Sequence, residues 1–436
     1  MSRSAPLRRR GGLAALAAPL VPLTVLSAVL VLALGCGETP DDANASSEVE
    51  AAGPSAAFAA LEPGWNKFSP GGETICSDGS PFHFFARPGD PDKVVFYLQG
   101  GGACWTGATC DRDLEPTYAI QAVAELIEPV AGQERSERTM SGIFDFTRED
   151  NPLRDYSFVF VPYCSGDVHI GNQVSTYQAP ETEEHAAHEV EVHHKGWPNV
   201  KAALDWTFGT FPSPETVVVT GSSAGSIPSP FYAHEVKEHY PEARVVQLGD
   251  GSGGYRRTEG AALPHVQWGT LAVLGQEMPY FADMAPEDYN YEHLYIATGR
   301  QHPDVQLAEY DAAEDAVQVR FLQIGGAQVP TLQSLLDLNR ADVAAEVPGF
   351  VSFTAGGDSH TILGRDFFYT FKVGDTTFRD WFAALVAGEP VQSVHCRDAA
   401  AGCAEAETVA VESTEPEGEE ESGAAEEASS EAPTAP

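Results

Sequence analysis

The sequence predicts an α/β fold, a mostly parallel sheet with helices on both faces, from three observations. Short apolar runs at 93–98, 157–161, 216–219 and 244–248 are separated by stretches with helical spacing, the pattern of βαβ units. The run at 215–220 passes directly into Gly221-Ser222-Ser223-Ala224-Gly225 and then into an amphipathic segment. The first of the runs ends in Gly100-Gly101-Gly102.

Taken in order, residues 93–98 (Lys-Val-Val-Phe-Tyr-Leu) read as a buried strand, and 157–161 as a second that ends in Pro162-Tyr163-Cys164-Ser165-Gly166-Asp167. Residues 199–208 read as a helix, with Val200, Ala203, Leu204, Trp206 and Phe208 along one broad apolar side. The valines 217–219 suit a strand buried on both faces. After the glycines, Ile227, Phe231, Tyr232, Val236 and Tyr240 recur at helical spacing, and Pro228 and Pro230 fall in the first turn, where a missing N–H costs little. Further strands are expected at 244–248, 305–307 and 350–353.

Four segments follow from composition. Residues 1–36 read as an export signal, with Arg8-Arg9-Arg10 before an apolar run. Ala33-Leu34-Gly35-Cys36 resembles the bacterial lipoprotein cleavage box, which implies lipid on Cys36 and a membrane partner reached through acyl chains, as in a cell-envelope lipoprotein. An ordinary secretory signal and an uncleaved spanning helix are the other readings; all three export the body. Residues 37–60 read as a flexible tether, 61–403 as one α/β domain, expected to act as a monomer. Residues 404–436 hold 11 Glu with no Lys, Arg or aromatic side chain, and read as a disordered acidic tail. A formal net charge of -39 argues against nucleic acid, which needs a basic surface, and fits simple solubility.

Setting Cys36 aside, Cys76, Cys104, Cys110, Cys164, Cys396 and Cys403 form an even set, as disulfides in an exported chain require. Short loops favour Cys104–Cys110 and Cys396–Cys403, which leaves Cys76–Cys164. No C-x-x-C spacing occurs, so these cysteines give no metal cluster. His185, His188, Glu189, His193 and His194 lie close together but lack H-E-x-x-H spacing, and the glutamates around them suit a solvated face; no metal is expected.

G-x-S-x-G between a valine strand and a helix reads as a sharp turn that lifts the Ser223 hydroxyl above the sheet edge. Such a serine needs a base, and the base an orienting acid, both expected later in the chain. Seven histidines follow; His360 is singled out because it lies on a glycine-bearing loop leaving the carboxyl end of the 350–353 strand. Glu309, Asp311, Glu314 and Asp315 crowd the segment after 305–307, where most are expected to be solvated or to cap a helix, and spacing does not choose among them. The Ala224 amide, with Gly101 and Gly102, can supply oxyanion donors. A phosphate-cradling role for the glycines is weaker, since no Gly-Lys-Ser/Thr follows.

Residues 98–105 (LQGGGACW), 161–168 (VPYCSGDV), 221–225 and Ser359-His360-Thr361, in this order, resemble the pectin acetylesterase and Notum carboxylesterase family. The resemblance runs over about 64–381 and implies an α/β-hydrolase fold and a serine esterase. It implies Ser223 as nucleophile, His360 as base, and Gly101, Gly102 and Ala224 as oxyanion donors. The family's acid precedes a glutamine three residues on; Asp315-Ala316-Val317-Gln318 fits, so Asp315 is implied, with Asp311 in reserve. Where the animal enzymes carry Gly-Gly-Trp-Tyr-Cys this chain has Gly100-Gly101-Gly102-Ala103-Cys104, which argues against a lipid-sized acyl pocket. The expected activity is hydrolysis of acyl esters, acetyl above all, on a carbohydrate or other ester, with no cofactor. A catalytically inactive glycan-binding lipoprotein and a thioesterase or amidase are the alternatives.

Overall fold

The computed structural model describes residues 55–118, 141–256, 263–327 and 331–409. The export signal, Cys36 and most of the acidic tail lie outside these residues. Among the described residues there are fourteen strands: β1 (Asn66–Phe68), β2 (Phe84–Arg87), β3 (Asp90–Leu98), β4 (Tyr156–Val161), β5 (Gln173–Ala179), β6 (His188–His194), β7 (Thr216–Ser222), β8 (Arg244–Asp250), β9 (Gln306–Ala312), β10 (Val351–Ala355), β11 (Phe371–Val373), β12 (Thr376–Thr377), β13 (Val394–His395) and β14 (Glu407–Thr408). The helices are α1 (Ala56–Ala59), α2 (Gly107–Cys110), α3 (Gly196–Thr210), α4 (Ser229–His239), α5 (Leu263–Trp268), α6 (Thr270–Glu277), α7 (Glu292–Gln301), α8 (Ala316–Ile324), α9 (Leu332–Glu346) and α10 (Phe378–Ala387).

Nine strands form one sheet in the order β1-β2-β4-β3-β7-β8-β9-β10-β13. Every pair from β4 to β13 is parallel; β1–β2 and β2–β4 are antiparallel, so β2 alone runs against the others and the mostly parallel α/β fold is present. The valine strand sits near the middle, Val218 registered against Val95 of β3 and Val246 of β8. Successive side chains of a strand point to opposite faces, and the core divides accordingly. Val94, Phe96, Val217 and Val219 pack with Leu204, Phe231, Tyr232 and Leu294 of α3, α4 and α7. Val95, Tyr97, Val218 and Val246 face the other way, toward Phe378, Phe382 and Leu385 of α10. Ile227, Phe231, Tyr232, Val236 and Tyr240 are all buried, the face their spacing indicates.

The structure departs from the sequence reading in three places. The folded body begins before residue 61, since Ser55 caps α1 and hydrogen-bonds the Thr210 carbonyl, while Phe58 packs edge-on against Phe211. It also runs past Cys403, with β14 pairing β11. Residues 173–194, read as partly a solvated face, form the β5–β6 hairpin; Tyr177, Ala179, Val192 and His194 turn inward while Glu189 and Glu191 stay exposed. The three disulfides are Cys76–Cys164, Cys104–Cys110 and Cys396–Cys403, as loop length suggests.

Cys76–Cys164 closes 88 residues of chain, against 6 and 7 for the other two. Because a cross-link restricts the unfolded chain more as its loop grows, replacing Cys76 and Cys164 together by serine is expected to lower stability by about 2–5 kcal/mol. The loss should exceed that from the Cys396/Cys403 double replacement, and guanidinium unfolding of both variants measures it.

Candidate active site

Ser223 sits at φ 54° in a single 3₁₀ turn between β7 and α4. A left-handed serine is uncommon and is held here by backbone crowding. A Cβ on Gly225 would lie 2.1 Å from the Leu98 carbonyl oxygen, and one on Gly221 2.4 Å from that of Gly225. Gly100, which the sequence reading did not single out, is as constrained: a Cβ there would meet the Ser222 carbonyl at 2.4 Å and the Ser223 Cβ at 2.8 Å. Only glycines let the ends of β3 and β7 approach so closely.

The carboxyl ends of β9 and β10 carry the other two predicted residues. Asp315 is the N-cap of α8: its Oδ1 accepts from the Val317 and Gln318 amides at 2.9 and 3.0 Å. Its Oδ2 accepts from Gln318 Nε2 at 2.9 Å and from His360 Nδ1 at 2.7 Å. An ionised carboxylate only accepts, so the proton of the neutral ring is on Nδ1 and Nε2 carries the lone pair. That Nε2 is buried with no hydrogen-bond partner among the described residues. Backbone bonds join the two loops, from Ala313 N to Ala355 O, Glu314 N to Gly357 O and Ala316 N to Asp358 O.

Of the four candidate carboxylates, Asp315 is the one brought to His360. Glu314 is exposed. Glu309 and Asp311, the latter held in reserve as the acid, are neither solvated nor helix caps: they are buried within β9 against Arg340, whose Nη2 lies 2.7 Å from Asp311 and whose Nε lies 3.2 Å from Glu309. Burial raises both carboxyls and Arg340 opposes it. Asp311 also accepts from the Gly253 amide and from Gln318 Nε2, so Gln318 joins this buried group to Asp315.

Asp250, at the end of β8, went unnoticed in the sequence. Its Oδ2 accepts from Ser222 Oγ at 2.6 Å and from the Leu363 amide at 3.1 Å, its Oδ1 from the Ile362 amide at 2.9 Å. Tyr97 in turn donates to Ser222 Oγ at 3.0 Å. Asp250 therefore ties the turn beside Ser223 to the chain just after His360. Burial pushes its carboxyl up to about 6 despite these donors.

Two cavities meet at Ser223. One, of about 190 Å³, is walled mainly by Trp105, Ile227, Trp268, Tyr289, Tyr291 and Phe321, and Ala224 and Gly102 also line it. Trp268 is fixed by donating to the Cys104 carbonyl at 2.8 Å. The other, of about 330 Å³, is lined by Gln99, Gly101, Gly102, Ser223, His360 and Arg365 among others. Gly102 has φ 77° and bridges to Tyr118. The aromatic wall draws on residues scattered from 105 to 321, which no local motif announces.

The histidines of 185–194 are not brought together. His188 faces Asp111 at 3.1 Å, whereas His194 accepts or donates at both ring nitrogens, to Tyr177 Oη and the Ser165 carbonyl.

A serine on a strand-to-helix elbow, with an imidazole and a carboxylate from later strands at the same sheet edge, is the architecture of the α/β-hydrolase class. A family profile for pectinacetylesterase matches residues 70–264. The palmitoleoyl-protein carboxylesterase NOTUM of Schmidtea mediterranea is 30% identical over 112 residues, 25% of this chain and 20% of that one. The inactive palmitoleoyl-protein carboxylesterase notum1b of Danio rerio is 30% identical over 105 residues, 24% of this chain and 70% of that one. The structure of the Wnt deacylase Notum from Drosophila superposes with a TM-score of 0.50 at 16% identity, over 76% of this chain and 95% of that one, a likeness of fold. The chain belongs to the pectinacetylesterase and Notum carboxylesterase family, a group of esterases and deacylases.

Asp250 gives this site a pH signature. Its folded value of about 6 lies above the ordinary 3.8, so the native state keeps the proton longer. The stability it contributes is full below about pH 4 and is lost as pH rises through about 6. The stability of the wild type relative to Asp250→Asn should therefore fall by about 3 kcal/mol between pH 4 and 7. Parallel denaturant titrations of both proteins across that range check the sign.

Proposed function

We propose that the chain is an exported serine esterase that removes short acyl groups, acetyl foremost, from the hydroxyls of an acylated carbohydrate. The observation that carries the reading is the His360–Asp315 pair: His360 Nε2 has no hydrogen-bond partner among the described residues, and His360 lines the same cavity as Ser223. In this reading Ser223 Oγ attacks the ester carbonyl and His360 Nε2 takes its proton. Asp315 keeps the other ring proton on Nδ1 and stabilises the imidazolium that forms. The amides of Ala224, Gly101 and Gly102 receive the oxyanion. Collapse expels the alcohol, which takes the proton from His360, and water then attacks the acyl-enzyme by the same path to release the acid.

The cavities suggest how substrate is divided. The aromatic cavity beside Ala224 suits the acyl group, and at about 190 Å³ it is smaller than the roughly 300–1,000 Å³ usual for drug-sized ligands, which favours short chains. The wider cavity with Gln99 and Arg365 suits the alcohol, where a polyol finds hydrogen-bonding partners. Three disulfides fit an oxidising compartment, and a lipid on Cys36 would hold the enzyme at a membrane.

A second reading, an inactive binder on the same fold, gains support from the zebrafish relative described as inactive. A fluorophosphonate probe separates the two, labelling Ser223 in the enzyme and nothing in the binder. Ser223→Ala is expected to lower kcat on an acetyl ester by about 10⁶ while leaving thermal unfolding unchanged. A series of acetyl, butyryl and longer esters should show kcat/KM falling with chain length; unaltered turnover in Ser223→Ala would end the serine mechanism.

A further inference from the structure

Outside the cleft, two helices bring nitrogen and oxygen donors together in a way the esterase reading does not use. His234 and Glu238 stand four residues apart on α4, hence on one face. His302 is the C-cap of α7, which packs beside α4. His234 Nδ1 lies 2.9 Å from His302 Nε2, and His302 Nε2 lies 3.1 Å from Glu238 Oε1. All three atoms fall within 4.8 Å of one another.

The surroundings fix which atoms are free to bind. His234 is buried; its Nδ1 faces His302, while its Nε2 lies 3.7 Å from Glu235 Oε1. Metal-bound histidines are commonly flanked by a carboxylate at the other ring nitrogen, the place Glu235 takes here. Gln301 Nε2 likewise holds Glu238 Oε1 at 2.9 Å. The local charge favours a cation: Glu235, Glu238, Glu277 and Asp304 gather here, and the Lys237 ammonium is already engaged by Asp304 and the carbonyls of Pro241 and Ala243.

We propose that His234, Glu238 and His302 bind a divalent transition-metal ion of the zinc class, with water as fourth ligand, clamping α4 to α7. Tetrahedral zinc with bonds of about 2.0–2.2 Å places its ligands roughly 3.4 Å apart; the two separations from His302 Nε2, 2.9 and 3.1 Å, lie within about half an ångström of that, and the third is under 4.8 Å. Binding displaces the proton that His302 Nε2 otherwise shares with Nδ1 of His234 and the Glu238 carboxylate. Two nitrogens and one oxygen suit zinc better than calcium or magnesium, which prefer oxygen. The site holds no reacting group; its effect is on the packing of α4, the helix that follows the Ser223 turn.

The test uses the full chain, stripped with a chelator, titrated with zinc chloride by calorimetry and melted with and without 100 µM zinc. The proposal expects one ion bound at this site and a Tm rise of at least about 2 °C. Both should vanish in His302→Ala and in Glu238→Gln and persist in His188→Ala, which disables the separate Asp111/Asp113/His188 cluster. Because Glu238 is an exposed side chain, Glu238→Gln reads out the site even if His302→Ala folds poorly. Absence of a zinc-dependent rise in the wild type, or an equal rise in Glu238→Gln, overturns the proposal; hydrolysis of an acetyl ester serves as a check that each variant is folded.

Discussion

The rest of the site depends on how closely the ends of β3 and β7 are packed. Leu98, Gly100, Ser222 and Gly225 approach within distances that exclude any side chain at the glycines, and this crowding holds Ser223 in a backbone conformation a serine rarely takes. The residues flanking the turn inherit that geometry. Gly101 and Gly102 continue from the same contact, so their amides and the serine are positioned by one piece of packing rather than by separate loops. A rigid frame of this kind lowers the cost of orienting a reacting group at the moment of reaction.

A second frame supports the acid and the imidazole. Asp315 satisfies the first turn of α8 while accepting from His360, so a helix cap and a proton-positioning contact are the same carboxylate. Behind it Gln318 divides its amide between Asp315 and Asp311, and Arg340 offsets Asp311 and Glu309 in a region without solvent. Buried charges are retained when each is paired and hydrogen-bonded, and here each oxygen of Asp311 has a partner. Asp250 links the two frames, since it accepts from the serine turn on one side and the histidine loop on the other. Three neighbouring strands thus end in carboxylates or their loops that share a common function of alignment.

What the sequence made legible was local. Three valines in a row and the helical spacing from Ile227 to Tyr240 describe elements that are buried on the faces their pattern indicates, and the glycines around Ser223 are dictated by contacts a reader of the turn can anticipate. Loop length pairs the cysteines for the same reason. The buried roles of Asp311 and Glu309 were hidden because their partner Arg340 lies in α9, about thirty residues away, and nothing local distinguishes a paired carboxylate from a solvated one. Asp250 was hidden likewise, its donors being the Ser222 hydroxyl on the neighbouring strand and two backbone amides more than a hundred residues on. The cavity wall escaped for a related reason: Trp105, Trp268 and Phe321 meet only after the sheet has folded. Strands β1 and β2 are short and bounded by prolines, and the hairpin of β5 and β6 carries its alternation among exposed glutamates, so neither stands out from loop sequence.

The main sheet finishes in a strand of three residues on one side and two on the other. A ladder that short leaves few free amides and carbonyls for a foreign strand to extend. Nine strands can therefore be stacked side by side without inviting edge-to-edge growth, and the abundance of negative charge adds mutual repulsion between copies. Crowding many copies into a small volume should cost this architecture little in aggregation.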